Sequence, residues 1–139
     1  MKRPWLIAGV AIALVAVAGL VSACSGKTNQ EPPAPLELTR AESGTTQDLQ
    51  IGQEVRVALD ANPTTGYQWD VVGEAPVQIE RSDEPRFTPA SDALGAGGTQ
   101  VWTFVAVSAG EGTLKMKYWR SFEPTAPPPA EFRVTLRVK

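Results

Sequence analysis

The residue types that the chain lacks limit the chemistry open to it. Its 139 residues include no His and a single Cys, Cys24. Ser-His-Asp and Cys-His nucleophile systems both require an imidazole, and zinc sites are built mainly from His nitrogen and thiolate ligands. The sequence excludes these arrangements, and we expect neither a cofactor nor a metal ion.

Catalysis by carboxylates alone remains open. The acidic residues available for it are Asp60, Asp70, Glu74, Glu80, Asp83, Glu84 and Asp92. Such chemistry needs two carboxyl groups held about 5 to 9 Å apart, and no spacing in the chain brings a pair together. Solvated surface charge is the simpler interpretation, so we expect that the protein is not an enzyme.

The most constrained stretch of the chain is 62–69, Asn-Pro-Thr-Thr-Gly-Tyr-Gln-Trp. Pro63 fixes its own φ and pushes Asn62 towards extended geometry, and Gly66 readily adopts a positive φ. These constraints predict a short loop of one shape, with Thr64 and Thr65 at its tip. On local chemistry alone an ordinary β-hairpin turn is the simpler interpretation.

This stretch resembles the signature loop of the chagasin family, which are small β-sandwich inhibitors of papain-like cysteine peptidases. The resemblance implies a different interpretation from that of a plain turn. It implies that Asn62, Pro63, Thr64, Thr65 and Gly66 contact a peptidase.

A glycine cluster, Gly95-Ala96-Gly97-Gly98, follows later in the chain. A phosphate-binding glycine loop opens a helix, whereas a strand-like stretch at 100–107 follows here, so a nucleotide site is not predicted. A flexible surface loop is one alternative. The chagasin family has a Gly-x-Gly-Gly loop at this place, and the resemblance implies that all four residues lie against the peptidase.

The third matching stretch is 118–122, Tyr-Trp-Arg-Ser-Phe, where the family usually has Tyr-x-Arg-Pro-Trp. Arg120 fits the pattern, but Ser121 replaces the Pro and Phe122 replaces the Trp, so the loop should be less rigid and its aromatic contact smaller. The resemblance implies that Arg120 and Phe122 bind the peptidase. The alternative is that Phe122 belongs to the core.

The N-terminus has the three parts of a secretory signal. Met1-Lys2-Arg3 precedes an apolar run at 6–21, and the small residues before Cys24 form a cleavage site that resembles a lipobox. We therefore expect a signal peptide at 1–23, lipidation of Cys24, and export to a bacterial cell membrane or outer membrane. The alternatives are a plain secretory signal with a spectator thiol and an uncleaved anchor helix.

The composition then predicts a tether followed by one domain. Residues 24–46 are polar and rich in Pro and should not order themselves, although Leu36 and Leu38 are candidates for an edge strand. Residues 47–139 have the size of a single domain with one core.

Alternating apolar and polar residues in 47–139 predict an all-β fold. With no convincing helix and about seven short strands, we expect an antiparallel, immunoglobulin-like β-sandwich, which the family resemblance also implies. The residues expected to form much of its core are Tyr67, Trp69, Trp102, Phe104, Leu114, Met116, Phe132, Val134 and Leu136.

These observations lead to one functional prediction and one alternative. We predict a reversible, noncovalent, active-site-directed inhibitor of papain-like cysteine peptidases, monomeric and held at a membrane through Cys24. The alternative is a structural or adhesive envelope lipoprotein that uses the sandwich as an inert module, since a fold alone does not define function. Nucleic acid is not an expected partner, because the net charge is −2 and no basic cluster occurs.

Overall fold

Strands with a buried face and an exposed face build the domain, which the computed structural model describes over residues 31–139. The predicted signal peptide and Cys24 lie outside these residues. The strands are β1 (Leu36–Leu38), β2 (Thr46–Leu49), β3 (Glu54–Ala61), β4 (Tyr67–Val71), β5 (Ile79–Arg81), β6 (Arg86–Pro89), β7 (Gly98–Ala106), β8 (Gly110–Arg120) and β9 (Ala130–Val138). Short 3₁₀ turns occur at Arg40–Glu42 and Pro63–Thr65. None of the helical segments in 31–139 has the length and apolar character needed to span a bilayer.

The strands form two sheets that enclose one core. The first sheet has the order β1-β3-β7-β5, with β6 also paired to β7, and the second has the order β2-β9-β8-β4. The pairings are antiparallel except for β1 with β3 and β2 with β9, which are parallel. The predicted all-β sandwich is confirmed.

Every predicted core residue except Tyr67 is buried. Alternation along β3 places Val55 and Val57 opposite Phe104 and Trp102 of β7, and β8 and β9 supply the facing apolar layer. Tyr67 is partly exposed because it lies at the end of the sandwich. There it stacks on Tyr118, with 5.2 Å between ring centroids.

The structure corrects three details of the sequence interpretation. The sandwich begins before residue 47, because Leu38 of β1 is 1% exposed within the core. Strand β6 was not identified from the sequence, because its residues are all exposed and lack the alternation typical of a strand. The described residues contain nine strands, and the two parallel pairings depart from a purely antiparallel sandwich.

Strand register brings three loops to one end of the sandwich. We call 62–66 the first loop, 90–97 the second loop and 121–129 the third loop. Ala61 pairs with Gly98, and Tyr67 pairs with Arg120, so the strands that border these loops end side by side. We call this the loop end.

Strand β1 and the last residues of the chain lie at the opposite end. Leu36 pairs with Val55 near the start of β3, and Val138 pairs with Gly110 at the start of β8. Since β3 runs for eight residues towards the first loop, the two ends are separated by roughly 23 Å, at about 3.3 Å per residue.

Candidate functional site

The first loop is one turn of 3₁₀ helix with a cap at each end. The Asn62 side chain accepts a hydrogen bond from the Thr64 backbone N–H at 3.2 Å, and the Gly66 N–H donates to the Pro63 carbonyl at 2.9 Å. Gly66 has φ +80°, the left-handed conformation that the sequence predicted for it. Thr64 and Thr65 are exposed at the tip, but both hydroxyls donate to Asn62, at 2.5 and 2.6 Å.

Asn62 connects the first loop to the second loop and to strand β8. Its backbone N–H donates to the Tyr118 hydroxyl at 2.8 Å, and its side-chain Nδ2 donates to the Gly95 carbonyl at 3.1 Å. An amide side chain that bonds its own loop and a neighbouring loop fixes their relative position. Asn62 therefore organises the loop end.

Two glycines at the second loop and its border lie close to the backbone of neighbouring segments of the domain. A Cβ added to Gly98 would collide with the backbone of Thr88 and Pro89, and one added to Gly97 would lie 3.4 Å from the Ala61 carbonyl oxygen. Gly98 is the first residue of β7 and not part of the loop. Gly95 is exposed and has φ +76°, whereas Ala96 and Gly97 are half-buried, so the part of this loop presented to solvent is 90–95.

That exposed part carries Leu94, whose side chain is fully exposed. The Ala96 N–H donates to the Ala93 carbonyl at 3.1 Å, which makes the loop turn at Leu94. The sequence interpretation did not select this residue. A large apolar side chain inside a glycine-rich loop was the signal that could have identified it.

The third loop opens with a β-turn. The Glu123 N–H donates to the Arg120 carbonyl at 3.1 Å. The Arg120 Nε donates to the Thr65 carbonyl of the first loop at 3.0 Å. Phe122 is 66% exposed, so the alternative that it belongs to the core is wrong. Its ring lies against Gly66, where an added Cβ would be 2.7 Å from Cε1.

All three predicted stretches therefore meet at the loop end, with one apolar side chain exposed in the second loop and one in the third. Two further residues that support them were not selected from the sequence. Tyr118 bonds Asn62, and the Gln100 side chain accepts from the Trp69 N–H at 2.9 Å. Tyr118 opens the stretch 118–122 that matches the family pattern, but no local signal indicated the hydrogen bond of either residue, because the partners are 56 and 31 residues away in the chain.

Two of the acidic residues considered for catalysis lie on the surface. Asp83 and Glu84 make exposed ion pairs with Arg86 and Arg81, at 3.1 and 3.2 Å. Within residues 31–139 no group of three or more potential ligands is placed to hold a metal ion. Their geometry fits solvated surface charge.

Comparisons with known proteins agree with this arrangement. The family model described as Chagasin family peptidase inhibitor I42 matches residues 48–136. Chagasin from Trypanosoma cruzi is 33% identical over 107 residues, which cover 74% of this chain and 96% of chagasin.

Solved structures share the fold. The cysteine protease inhibitor EhICP2 from Entamoeba histolytica has a TM-score of 0.64 at 21% identity, with 76% of this chain and 96% of that chain covered. Amebosin has a TM-score of 0.59 at 25% identity, with 76% of this chain and 98% of that chain covered. The relatives are protease inhibitors, so this chain is not an enzyme. The family model, the chagasin match and the three loops at one end of the sandwich together show that the chain belongs to the chagasin family of peptidase inhibitors.

Proposed function

We propose that this protein is a reversible, noncovalent, active-site-directed inhibitor of papain-like cysteine peptidases. The observation that carries the proposal is the loop end itself, where three loops are tied together and present Leu94 and Phe122 to solvent. PbICP-C, a structural neighbour at 17% identity with a TM-score of 0.50, was solved in complex with falcipain-2. That neighbour shares the fold, and its complex supports a peptidase as the partner of this chain.

The first loop explains how the inhibitor would escape cleavage. A papain-like cleft accepts an extended substrate backbone over its Cys-His pair, whereas Pro63–Thr65 is held in a 3₁₀ turn by Asn62 and Gly66. A helical turn places no peptide bond in the extended register that the peptidase attacks. The loop would therefore fill the cleft without being cleaved.

The bonds between the loops explain how such contacts would become tight. Each flexible side chain or loop that must be ordered on binding reduces affinity. Here Asn62 and Arg120 already fix the first loop to the second and third loops. A standard interface of roughly 800 Å² per partner then suffices for nanomolar affinity.

A titration of the full chain against papain tests this function. We expect competitive inhibition that reverses on dilution, and no inhibition of a serine peptidase such as trypsin. Papain with its Cys alkylated by a small group should still bind, although more weakly, since no covalent bond is involved. Absence of inhibition of several papain-like peptidases at micromolar concentration would favour the inert envelope module instead.

We also propose that the domain is presented from a membrane through a lipid on Cys24. The sequence around Cys24 supports this, and β1 begins at the end opposite the loops. An anchor on that side would leave the loop end facing away from the membrane. Stable attachment needs two or more acyl chains, because one chain binds only marginally.

A Cys24→Ser variant tests the anchor. The variant should move from the membrane fraction to the soluble fraction while its inhibition of papain is unchanged. Equal partitioning of the variant and the wild type would contradict the proposal. Sedimentation of the Cys24→Ser variant would also test the expectation that the domain is a monomer.

A further inference from the structure

Arg120 lies between the first and third loops, with its charged group turned into the domain. Its Nε donates to the Thr65 carbonyl at 3.0 Å, and its guanidinium carbon lies 4.2 Å from the centre of the Tyr67 ring. Its Nη1 lies 3.4 Å from a carboxylate oxygen of Glu123, and the Phe122 ring centre is 5.7 Å away. Only 30% of the side chain is exposed.

These contacts use the particular shape of a guanidinium group. The flat face stacks on Tyr67, and the edge donates to the first loop and to Glu123 of the third loop. A lysine ammonium is a compact point charge and would not make a flat stack and directed edge bonds together. The charged group of Arg120 therefore makes its contacts with residues of its own domain.

The adjacent turn lacks a proline, and the contacts of Arg120 would supply the rigidity that a proline gives. Arg120 and Glu123 are the first and last residues of a β-turn, so Ser121 occupies the position at which Pro is most favoured. Ser121 leaves the turn with more conformational freedom than Pro would. Phe122, next to it, is mostly exposed and receives little support from the core.

We propose that Arg120 is a positioning residue, which fixes the third loop to the first loop and so holds Phe122 ready to bind. This inference rests on the proposed inhibition of cysteine peptidases. It assigns peptidase contact to Phe122 and assigns to Arg120 the task of keeping Phe122 in place.

The two possible roles of Arg120 differ in their kinetics. A positioning residue sets the fraction of molecules whose third loop is competent to bind, so its loss slows association at every salt concentration. A charge that contacts the peptidase directly changes the salt dependence of association. A second substitution that stiffens the same turn should also compensate for the loss of a positioning residue.

The experiment compares the full chain with Arg120→Ala, Arg120→Lys, and Arg120→Ala combined with Ser121→Pro. Arg137→Ala is the matched control, because Arg137 also makes exposed ion pairs but lies on β9 towards the opposite end. Association with papain is measured at several salt concentrations. Hydrogen exchange of the free chain is followed in peptides covering 62–69 and 118–124.

We expect Arg120→Ala and Arg120→Lys to slow association by on the order of tenfold. The salt dependence of Arg120→Ala should match that of Arg137→Ala, which also loses one charge, and that of Arg120→Lys should match the wild type. Both Arg120 variants should exchange faster in the two peptides, and Ser121→Pro should restore most of the association rate to Arg120→Ala. The proposal is overturned if Arg120→Lys associates as fast as wild type, if the salt dependence of Arg120→Ala falls below that of Arg137→Ala, or if Ser121→Pro restores nothing.

Hydrogen exchange separates this inference from the proposed function. Faster exchange in both peptides without any inhibition by the wild type would reject the function and retain the link between the loops. Unchanged exchange in Arg120→Ala would reject the link even if the wild type inhibits papain.

Discussion

Phe122 is a large apolar side chain that the fold leaves 66% exposed. If it is a binding anchor, Phe122→Ala should weaken inhibition of papain by about 2 kcal/mol, roughly thirtyfold. Its melting temperature should hardly change, because little buried surface is lost. Val77→Ala, which shortens another exposed apolar side chain, should affect neither measurement. A large fall in melting temperature with normal inhibition would show that Phe122 is structural.

Gly66 and Gly73 form a matched pair for testing the first loop. Both have positive φ, +80° and +72°, but a Cβ on Gly66 would strike the Phe122 ring whereas one on Gly73 meets nothing within 4 Å. Substitution by Ala should cost both variants about 1 kcal/mol of stability from backbone strain. Only Gly66→Ala should also lose inhibition, because Phe122 must move. Equal inhibition constants for the two variants would contradict this account.

For single residues, the sequence indicates where the three loops lie but not the hydrogen bonds that join them. Asn62, Gly66 and Arg120 were selected through family resemblance, and the structure brings them together. Their hydrogen bonds depend on partners distant in the chain, which no local pattern displays. Leu94 was missed for a different reason. It directly precedes the glycine cluster, but the family pattern that selected the cluster covers only Gly95 to Gly98.

Among the strands, β6 depends on a single glycine. Pro89 pairs with Gly98, and any side chain at 98 would collide with the backbone of Thr88 and Pro89. Gly98→Ala should therefore displace β6 and lower the free energy of unfolding by about 1–3 kcal/mol, as overpacking does. Gly97→Ala is the adjacent control and should cost less, since its Cβ has 3.4 Å of room. Urea unfolding measures both, and equal losses would argue against the collision.

The 3₁₀ turn between β1 and β2 should respond to acid. Both the backbone N–H and the hydroxyl of Thr39 donate to Glu42, at 2.6 and 2.8 Å, and these bonds hold the pKa of Glu42 below its ordinary value. A lowered carboxyl pKa stabilises the fold above the ordinary pKa, and this stability is lost as pH falls through the folded-state pKa.

Between about pH 5 and pH 3, the melting temperature of Glu42→Gln should therefore fall less than that of the wild type. Glu74→Gln serves as the control, because Glu74 makes no ion pair or side-chain hydrogen bond in the described part of the chain. Identical acid profiles for all three proteins would show that the Thr39 cap contributes nothing.

Long strands could be predicted because their signal is local. β3 and β9 alternate over nearly their whole length, and β7 and β8 alternate over part of theirs. Leu36 and Leu38 indicated the short edge strand β1, whereas β6 has no buried residue and gave no such sign. The parallel pairings of β1 and β2 join strands that are not neighbours in sequence, so no local pattern predicts them.

For the whole molecule, the position of β1 changes where the domain begins. A chain starting at residue 47 loses β1 and the buried Leu38, whereas a chain starting at residue 31 keeps both. The shorter chain should be less stable by about 3 kcal/mol or more, the usual cost of emptying a buried leucine site. Urea midpoints of the two chains measure the difference. Equal midpoints would restore the boundary that composition predicted.

Asn62 also affects how the protein ages chemically. Deamidation of an asparagine begins with attack by the backbone nitrogen of the next residue on the side-chain amide. The next residue is Pro63, whose ring nitrogen carries no hydrogen, so this route is blocked. Conversion to aspartate would remove the Nδ2 donor that bonds Gly95 and would place a negative charge between the first and second loops. The side chain that organises the loop end is thus followed by a residue that blocks deamidation through the next backbone nitrogen.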